Sequence, residues 1–437
     1  MIKSWMEKLP SLKRRKRKRS LIGLDLGSTA IKAVEMTVTD DGPVVTGVAQ
    51  RDILPGEDFQ EALAALLEES GFTAKETATA VSGRSVVVRH LATAKMDDDD
   101  LKQAMGFEAD KLLPFEPDEI LMDCQRLDRE PQLGGDDDEG DGDRIGVVLV
   151  ACRDTLIEEQ YRGVLGVGLT PVAIDAEAFA LVNAFEFCNG ELANTELDDD
   201  DDEDEEGEEP LAELPGGVVA EEPAQPLEDP YGVAAEDSEE ELDDPYGEPH
   251  DEDEFDPFTG VGVVEASTPP PLFGSAVAIA DVGATRTQIS VVIGGESCFS
   301  REIGVGGVDM TQAIARRLGV EQEEAEQIKR MPEDHEQEIV EALESVIDDL
   351  VGELSLSLDF VENHEGITVG RVLMTGGGAR TPGLLDGVVR GTGREAATWD
   401  LFEKVLVDAE RVDSDQLRLL GPSLAVAVGL AARVTAA

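Results

Sequence analysis

Histidine and cysteine are scarce in this chain, with four of each among 437 residues. Cys124, Cys152, Cys188 and Cys298 lie far apart, each in or beside an apolar run. That pattern argues against a zinc site or a disulfide framework and for reduced, semi-buried thiols. His90, His250, His335 and His364 show no ligand-like spacing, so no metal-only chemistry is visible. No apolar run reaches the length of about 18 residues needed to span a bilayer, and no apolar signal core stands near the start. The chain is therefore expected in the cytoplasm, with any membrane association peripheral or borrowed from a partner. Positive charge is also short: 36 Lys and Arg face 96 Asp and Glu, for a net charge of −60, which repels nucleic-acid phosphates. Aromatic residues make up only 4%, but the 41% hydrophobic content is ordinary and suffices for two core-forming domains.

The negative charge is concentrated. Residues 195–272 are dominated by acidic runs such as Asp198 to Glu206 and cannot bury enough apolar surface to offset chain entropy, so a disordered insertion is expected. A shorter acidic, glycine-rich stretch, 134–143, reads as an extended hairpin loop. Within the insertion, Asp229-Pro230-Tyr231-Gly232, Asp244-Pro245-Tyr246-Gly247 and Asp256-Pro257-Phe258-Thr259 repeat. They read either as three turns in a solvated tether or as weak aromatic anchors on a multivalent docking arm. The N-terminus, 1–20, is basic, with Trp5, Met6 and Leu9 before Lys13 to Arg19. It reads either as a solvated tail or as a peripheral contact with an anionic membrane through residues 1–19.

What the chain does contain is one loop pattern, Asp-x-Gly-x-Thr, twice: Asp25-Leu26-Gly27-Ser28-Thr29 and Asp281-Val282-Gly283-Ala284-Thr285. Each copy lies between two short apolar stretches and reads as a β-hairpin turn. The glycine lets backbone amides approach an anion, and the aspartate suits a hydrated Mg²⁺ bridging phosphates. A third element is the strand Val369 to Thr375 followed by Gly376-Gly377-Gly378, whose backbone can lie flat against a base or ribose, and by a helix near Pro382. Gly304 to Thr311 opens a further helix whose first amides offer another anion site. Asp309 there also reads as a cap.

These loops, in this order, resemble those of the actin, Hsp70 and sugar-kinase fold, and within it the PilM family of type IV pilus assembly proteins. The resemblance rests on Leu24 to Glu35, on Phe107 to Glu116 with its Leu-Pro-Phe-Glu ending, on Val172 to Leu181 and on Gly421 to Ala431. It implies an α/β, actin-like (Hsp70/FtsA-type) two-lobed fold with an inserted small α+β module and the long disordered acidic insertion. The first lobe would comprise 21–78, the module 79–170, a connecting strand and helix 171–194, and the second lobe 273–437. By the same resemblance the cofactors are ATP and Mg²⁺, with Asp25 and Asp281 as metal residues. Gly27, Ser28, Thr29, Lys32, Gly283 and Thr285 would touch phosphates, Ala284 leaving the second loop one hydroxyl poorer than the first. Gly306, Gly307 and Asp309 would border the nucleotide, and Gly376, Gly377 and Gly378 would face the nucleoside. Efficient hydrolysis is not expected.

Between the loops, a strand over 79–90, a helix over 98–113, strands over 120–127 and 145–151 and a helix over 154–165 form the module. A helix over 175–187 follows, with Phe179, Val182 and Phe185 packed in the core. Asp175 and Glu177 at its start read first as dipole partners and second as residues that position an attacking water. The resemblance implies an adaptor at the inner face of the cytoplasmic membrane that receives the cytoplasmic tail of a PilN-like inner-membrane protein, alongside other pilus platform or motor proteins. The alternatives are an FtsA-like filament, which the net charge opposes, and a small-molecule kinase, for which no substrate-pocket cluster is visible.

Overall fold

A computed structural model describes residues 19–113, 115, 119–127, 144–195, 276–332 and 335–435. The expectations for the basic N-terminus, the 134–143 loop and the acidic insertion with its repeats lie outside the described residues.

The first half begins with an antiparallel hairpin, β1 (Ser20–Leu26) and β2 (Ala30–Thr39), extended by β3 (Gly42–Asp52). Helix α1 (Phe59–Ser70) is capped by Asp58, whose carboxylate accepts the Gln60 and Glu61 amides. It leads to β4 (Glu76–Val81), parallel to β1. The inserted module holds β5 (Val86–Ala94), α2 (Asp98–Leu112), β6 (Ile120–Arg126) and β7 (Arg144–Arg153), followed by α3 (Asp154–Gly166). Then β8 (Thr170–Ala176) pairs with β4, and α4 (Glu177–Thr195) follows. The single strand expected over 79–90 is thus two strands in two sheets. Gly83, at φ 89°, breaks it, and only β5 belongs to the module.

The second half repeats the scheme. Its strands are β9 (Ala276–Val282), β10 (Thr287–Ile293), β11 (Glu296–Ile303), β12 (Val369–Thr375) and β13 (Glu395–Thr398). Helices α5 (Gly307–Leu318), α6 (Gln322–Arg330) and α7 (Glu336–Glu365) separate β11 from β12, and α8 (Leu384–Thr392) separates β12 from β13. The two five-stranded sheets have orders β3-β2-β1-β4-β8 and β11-β10-β9-β12-β13. Each is three antiparallel strands followed by two parallel ones, so the twin loop pattern marks a twin architecture. The module has its own sheet, β5-β7-β6, and its own core of Leu101, Met105, Leu113, Val147, Leu149 and Ala151.

The chain closes with α9 (Ser414–Leu420), a 3₁₀ turn and α10 (Ala425–Ala432), whose eight residues are all buried. A helix apolar on every side belongs inside a protein. A Cβ on Gly23 of β1 would stand 2.0 Å from the Ala427 carbonyl oxygen, and one on Gly429 would stand 1.8 Å from that of Ala180 in α4. Glycine alone lets β1, α10 and α4 stack this closely. Val182 and Phe185 join the same core, Phe185 against Trp399 at 6.1 Å between rings, while Phe179 is half-buried.

Candidate functional site

The two hairpins deliver their aspartates in corresponding ways. Asp25 and Lys32 are direct partners across β1 and β2, which puts both side chains on one face, and Lys32 Nζ donates to Asp25 Oδ2 at 2.8 Å. Asp281 faces Gln288 across β9 and β10 in the same register. Gln288 turns away and donates to the carbonyls of Ile289 and Arg301 and to the Ser300 hydroxyl. One lysine therefore serves both aspartates. Although burial opposes its charge, Asp25, Asp281 and Glu177 together hold the Lys32 ammonium well above its ordinary range.

Negative charge is in excess here. Burial, followed by the neighbouring Glu177 carboxylate, pushes Asp281 up to about 7. Burial and the nearby Asp25 likewise raise Glu177. Three crowded carboxylates with one lysine form an oxygen-donor set that suits a hard divalent cation carrying most of its own water. Among the described residues, no group of three or more His, Cys, Asp or Glu is placed to hold a metal ion. Asp25 and Asp281 could therefore at most anchor a hydrated ion through one or two carboxylates. At the tips, Ser28, Thr29 and Thr285 are exposed, and Gly27 and Gly283 have no room for a side chain: a Cβ would stand 2.7 Å from Ala30 O and 2.9 Å from Arg286 O.

The other predicted glycines divide by environment. The start of α5 clasps the second loop, because the Gly307 amide donates to Gly283 O at 2.9 Å and the Val308 amide to Ala284 O at 2.7 Å. The N-cap of α5 is Gly306 rather than Asp309, which stands at the third helical position and accepts the Gly306 amide at 2.9 Å. A Cβ on Gly376, which sits at φ 90°, would stand 2.2 Å from Asp281 Oδ1, and one on Gly378 would meet Val282 Cγ1 at 2.5 Å. Both glycines serve packing against β9. Gly377 is exposed, with open space where its side chain would be. Pro382 precedes α8 rather than opening it, since Gly383 is the capping residue.

Asp175 and Glu177 part company. Asp175 is the penultimate residue of β8, not a helix start, and is nearly buried in an ion pair with Arg433, whose Nε lies 2.8 Å away. Glu177, the first residue of α4, is brought to the cluster, and Arg286 Nη2 stands 3.5 Å from its carboxylate.

Several residues escaped the motif search. Arg286, one position past the second loop, reaches the Ser82 hydroxyl, Glu177 and Glu302, the last at 3.1 Å. Lys329 of α6, its charge disfavoured by burial, donates to Gly307 O at 2.9 Å and to Thr311 Oγ1 at 2.7 Å. Arg330 pairs with Asp52 at 2.7 Å, and next to Asp52 the Ile53 amide donates to Thr29 O of the first loop. The only advance signal was Arg286 itself, a cation beside a presumed phosphate turn. Lys329 and Arg330 carry no local pattern.

A model of the family described as Type IV pilus assembly protein PilM matches residues 23–200 and 255–435. Among solved structures, the PilM-PilN type IV pilus biogenesis complex is similar over 95% of this chain and 98% of that chain, at 22% identity and a TM-score of 0.66. The ethanolamine utilization protein EutJ from Carboxydothermus hydrogenoformans is similar over 94% and 89%, at 14% identity and 0.43. Component A of the (R)-2-hydroxyglutaryl-CoA dehydratase of Acidaminococcus fermentans is similar over 95% and 96%, at 10% identity and 0.39. The motifs that carried the resemblance now have positions: Glu35 buried in β2, Phe115 beneath the Arg153 guanidinium at 5.3 Å, and Pro422, whose carbonyl accepts from Thr375 Oγ1 and the Gly376 amide. With an actin-like fold and a family model that spans both of its halves, the chain belongs to the PilM family of type IV pilus assembly proteins.

Proposed function

We propose that this protein is an ATP- and Mg²⁺-binding adaptor of the pilus assembly platform, working at the cytoplasmic face of the inner membrane. The observation that carries this reading is the pair of matching turns, with exposed Ser28, Thr29 and Thr285 at their tips, each backed by an aspartate at the same register: Asp25, held by Lys32 at 2.8 Å, and buried Asp281. Mg²⁺ would balance the carboxylate excess through Asp25 and Asp281, with Glu177 beside them. The amides around Gly27 and Gly283, with the hydroxyls of Ser28, Thr29 and Thr285, would take the phosphates, and exposed Gly377 would meet the nucleoside. Hydrolysis is not part of the proposal: Asp175 is committed to Arg433, and Glu177 faces Arg286.

The partner in this reading is the cytoplasmic tail of a PilN-like membrane protein, as the solved PilM-PilN complex suggests. A cavity of about 250 Å³ beside the module, lined by Val81, Val87, Arg89, Ala178 and Arg301, has room for an anchoring side chain of such a tail. Titration with a fluorescent ATP analogue and Mg²⁺, with and without a peptide copied from that tail, tests both halves. Nucleotide affinity that strengthens with peptide supports the adaptor, since coupling between sites is reciprocal. Binding of neither overturns it.

A further inference from the structure

The twin hairpins also differ in the residue that follows their shared pattern. Where the first loop runs on into Ala30, buried within β2, the second runs on into Arg286, which does not stay in its own half. Its backbone belongs to the loop: the Gly283 amide donates to Arg286 O at 2.9 Å, and a Cβ on Gly306 would press to 2.6 Å from Arg286 N. Its guanidinium crosses to the first half. Nη2 donates to the Ser82 hydroxyl and lies 3.5 Å from Glu177 Oε2, while Nε lies 3.1 Å from Glu302 Oε2. Nη1 stands 3.5 Å from the point where a Cβ on Gly83 would be.

Ser82 and Gly83 have a particular place in the fold. They start the link between β4, in the first five-stranded sheet, and β5, in the sheet of the inserted module. Gly83 is in the left-handed region at φ 89° and accepts the Val86 amide at 2.9 Å, and Ser85 O accepts the Arg153 amide from the far end of β7. The link is thus a joint, one of the two chain connections by which the module is attached, the other being the passage from β7 into α3. The Arg286 side chain spans from phosphate loop to joint.

We propose that Arg286 is the positioning residue that couples the second phosphate loop to the module. This rests on the nucleotide-binding reading above. Without an anion, the guanidinium fork is held by Ser82, Glu177 and Glu302 and pins the joint. A polyphosphate seated on Gly283 to Thr285 would put several phosphate oxygens within reach of the fork, and Arg takes such oxygens bidentately. The fork turns toward it and the joint is released. The phosphate thereby has different partners in the two arrangements, which is the requirement for shifting their balance.

Hydrogen exchange on the full-length chain tests this, reading the amides of residues 82–86 and of both loops, with and without ATP and Mg²⁺. In the wild type, nucleotide is expected to slow exchange in the loops and to speed it about tenfold at 82–86. Arg286→Ala is expected to show the fast joint already without nucleotide, and no further change with it. Ser82→Ala, which removes one acceptor and leaves the loop intact, guards against misfolding of the first variant and is expected to give about a threefold increase. A joint that stays slow in both variants, or one whose response to nucleotide survives in Arg286→Ala, overturns the coupling. Loops that nucleotide fails to protect in the wild type overturn the nucleotide reading itself, which is a separate result from protected loops with an indifferent joint.

Discussion

The carboxylate of Glu35, fully buried in β2, accepts the Ala74 amide at 2.7 Å from the segment that leads into β4. The same oxygen accepts the Thr73 amide at 2.6 Å and its hydroxyl at 3.0 Å, and the other accepts Thr46 Oγ1 at 2.8 Å, with Arg411 3.1 Å away. Burial alone would raise this group, but the two amides and two hydroxyls hold it below its ordinary value of 4.5. A carboxyl lowered on folding contributes stability that is present above the unfolded value and lost as pH falls through the folded one. Glu35→Gln is expected to cost about 3 kcal/mol at pH 7 by denaturant melts. The gap from wild type should close as pH falls below the ordinary glutamate value.

Gly376 and Gly377 are neighbours with opposite expectations. Gly376→Ala combines a left-handed backbone with a Cβ aimed at Asp281 and is expected to cost about 2 kcal/mol, measured by thermal melting. Gly377→Ala, facing open space, is expected to change stability by under about 0.5 kcal/mol. If Gly377 meets the nucleoside, Gly377→Val should weaken binding of a fluorescent ATP analogue while leaving the melting temperature in place.

Lys32 balances a cluster that is short of positive charge. Lys32→Met is expected to destabilise the protein by about 2 kcal/mol, because Asp25 loses its partner in a largely buried site. Adding Asp25→Asn should return a large part of that loss, and a double-mutant cycle by urea melts reads the coupling.

Cys152, Cys188 and Cys298 are buried, and burial pushes the Cys152 and Cys188 thiols up to about 11 and about 12. Thiols so protonated are poor nucleophiles. A thiol reagent at pH 7.5 is expected to label the native protein slowly, at half-buried Cys124 before the others, and to label all four at once in denaturant.

Much of the architecture was readable because it is local. The twin hairpins, β12 and the start of α5 each carry their signal in consecutive residues, as alternating apolar positions around a glycine turn. The break at Gly83 lies in a polar stretch, Ser82 to Ser85, between the apolar Ala80-Val81 and Val86 to Val88; reading one strand through that turn signal overlooked that its two ends find their partners in two different sheets. Asp175 was misplaced by the same blindness: a carboxylate before an apolar helix looks like a cap, whereas its partner Arg433 comes from the far end of the chain. At the site, the residues on the two turns could be named in advance. Those that reach it from elsewhere, such as Lys329 and Arg330, could not, because their roles are created by packing.

The glycine contacts around α10 also govern the order in which the molecule can be made. Helix α10 supplies much of the interior under β1, although nearly the whole chain lies between them. A nascent chain emerging from the ribosome would complete the module's separate core early. The first sheet would meanwhile wait, its apolar underside uncovered, until α10 arrived. Assembly of this fold is therefore gated by the arrival of α10, and its slow, long-range closure onto Gly23 is the step at which aggregation and chaperone capture compete with folding.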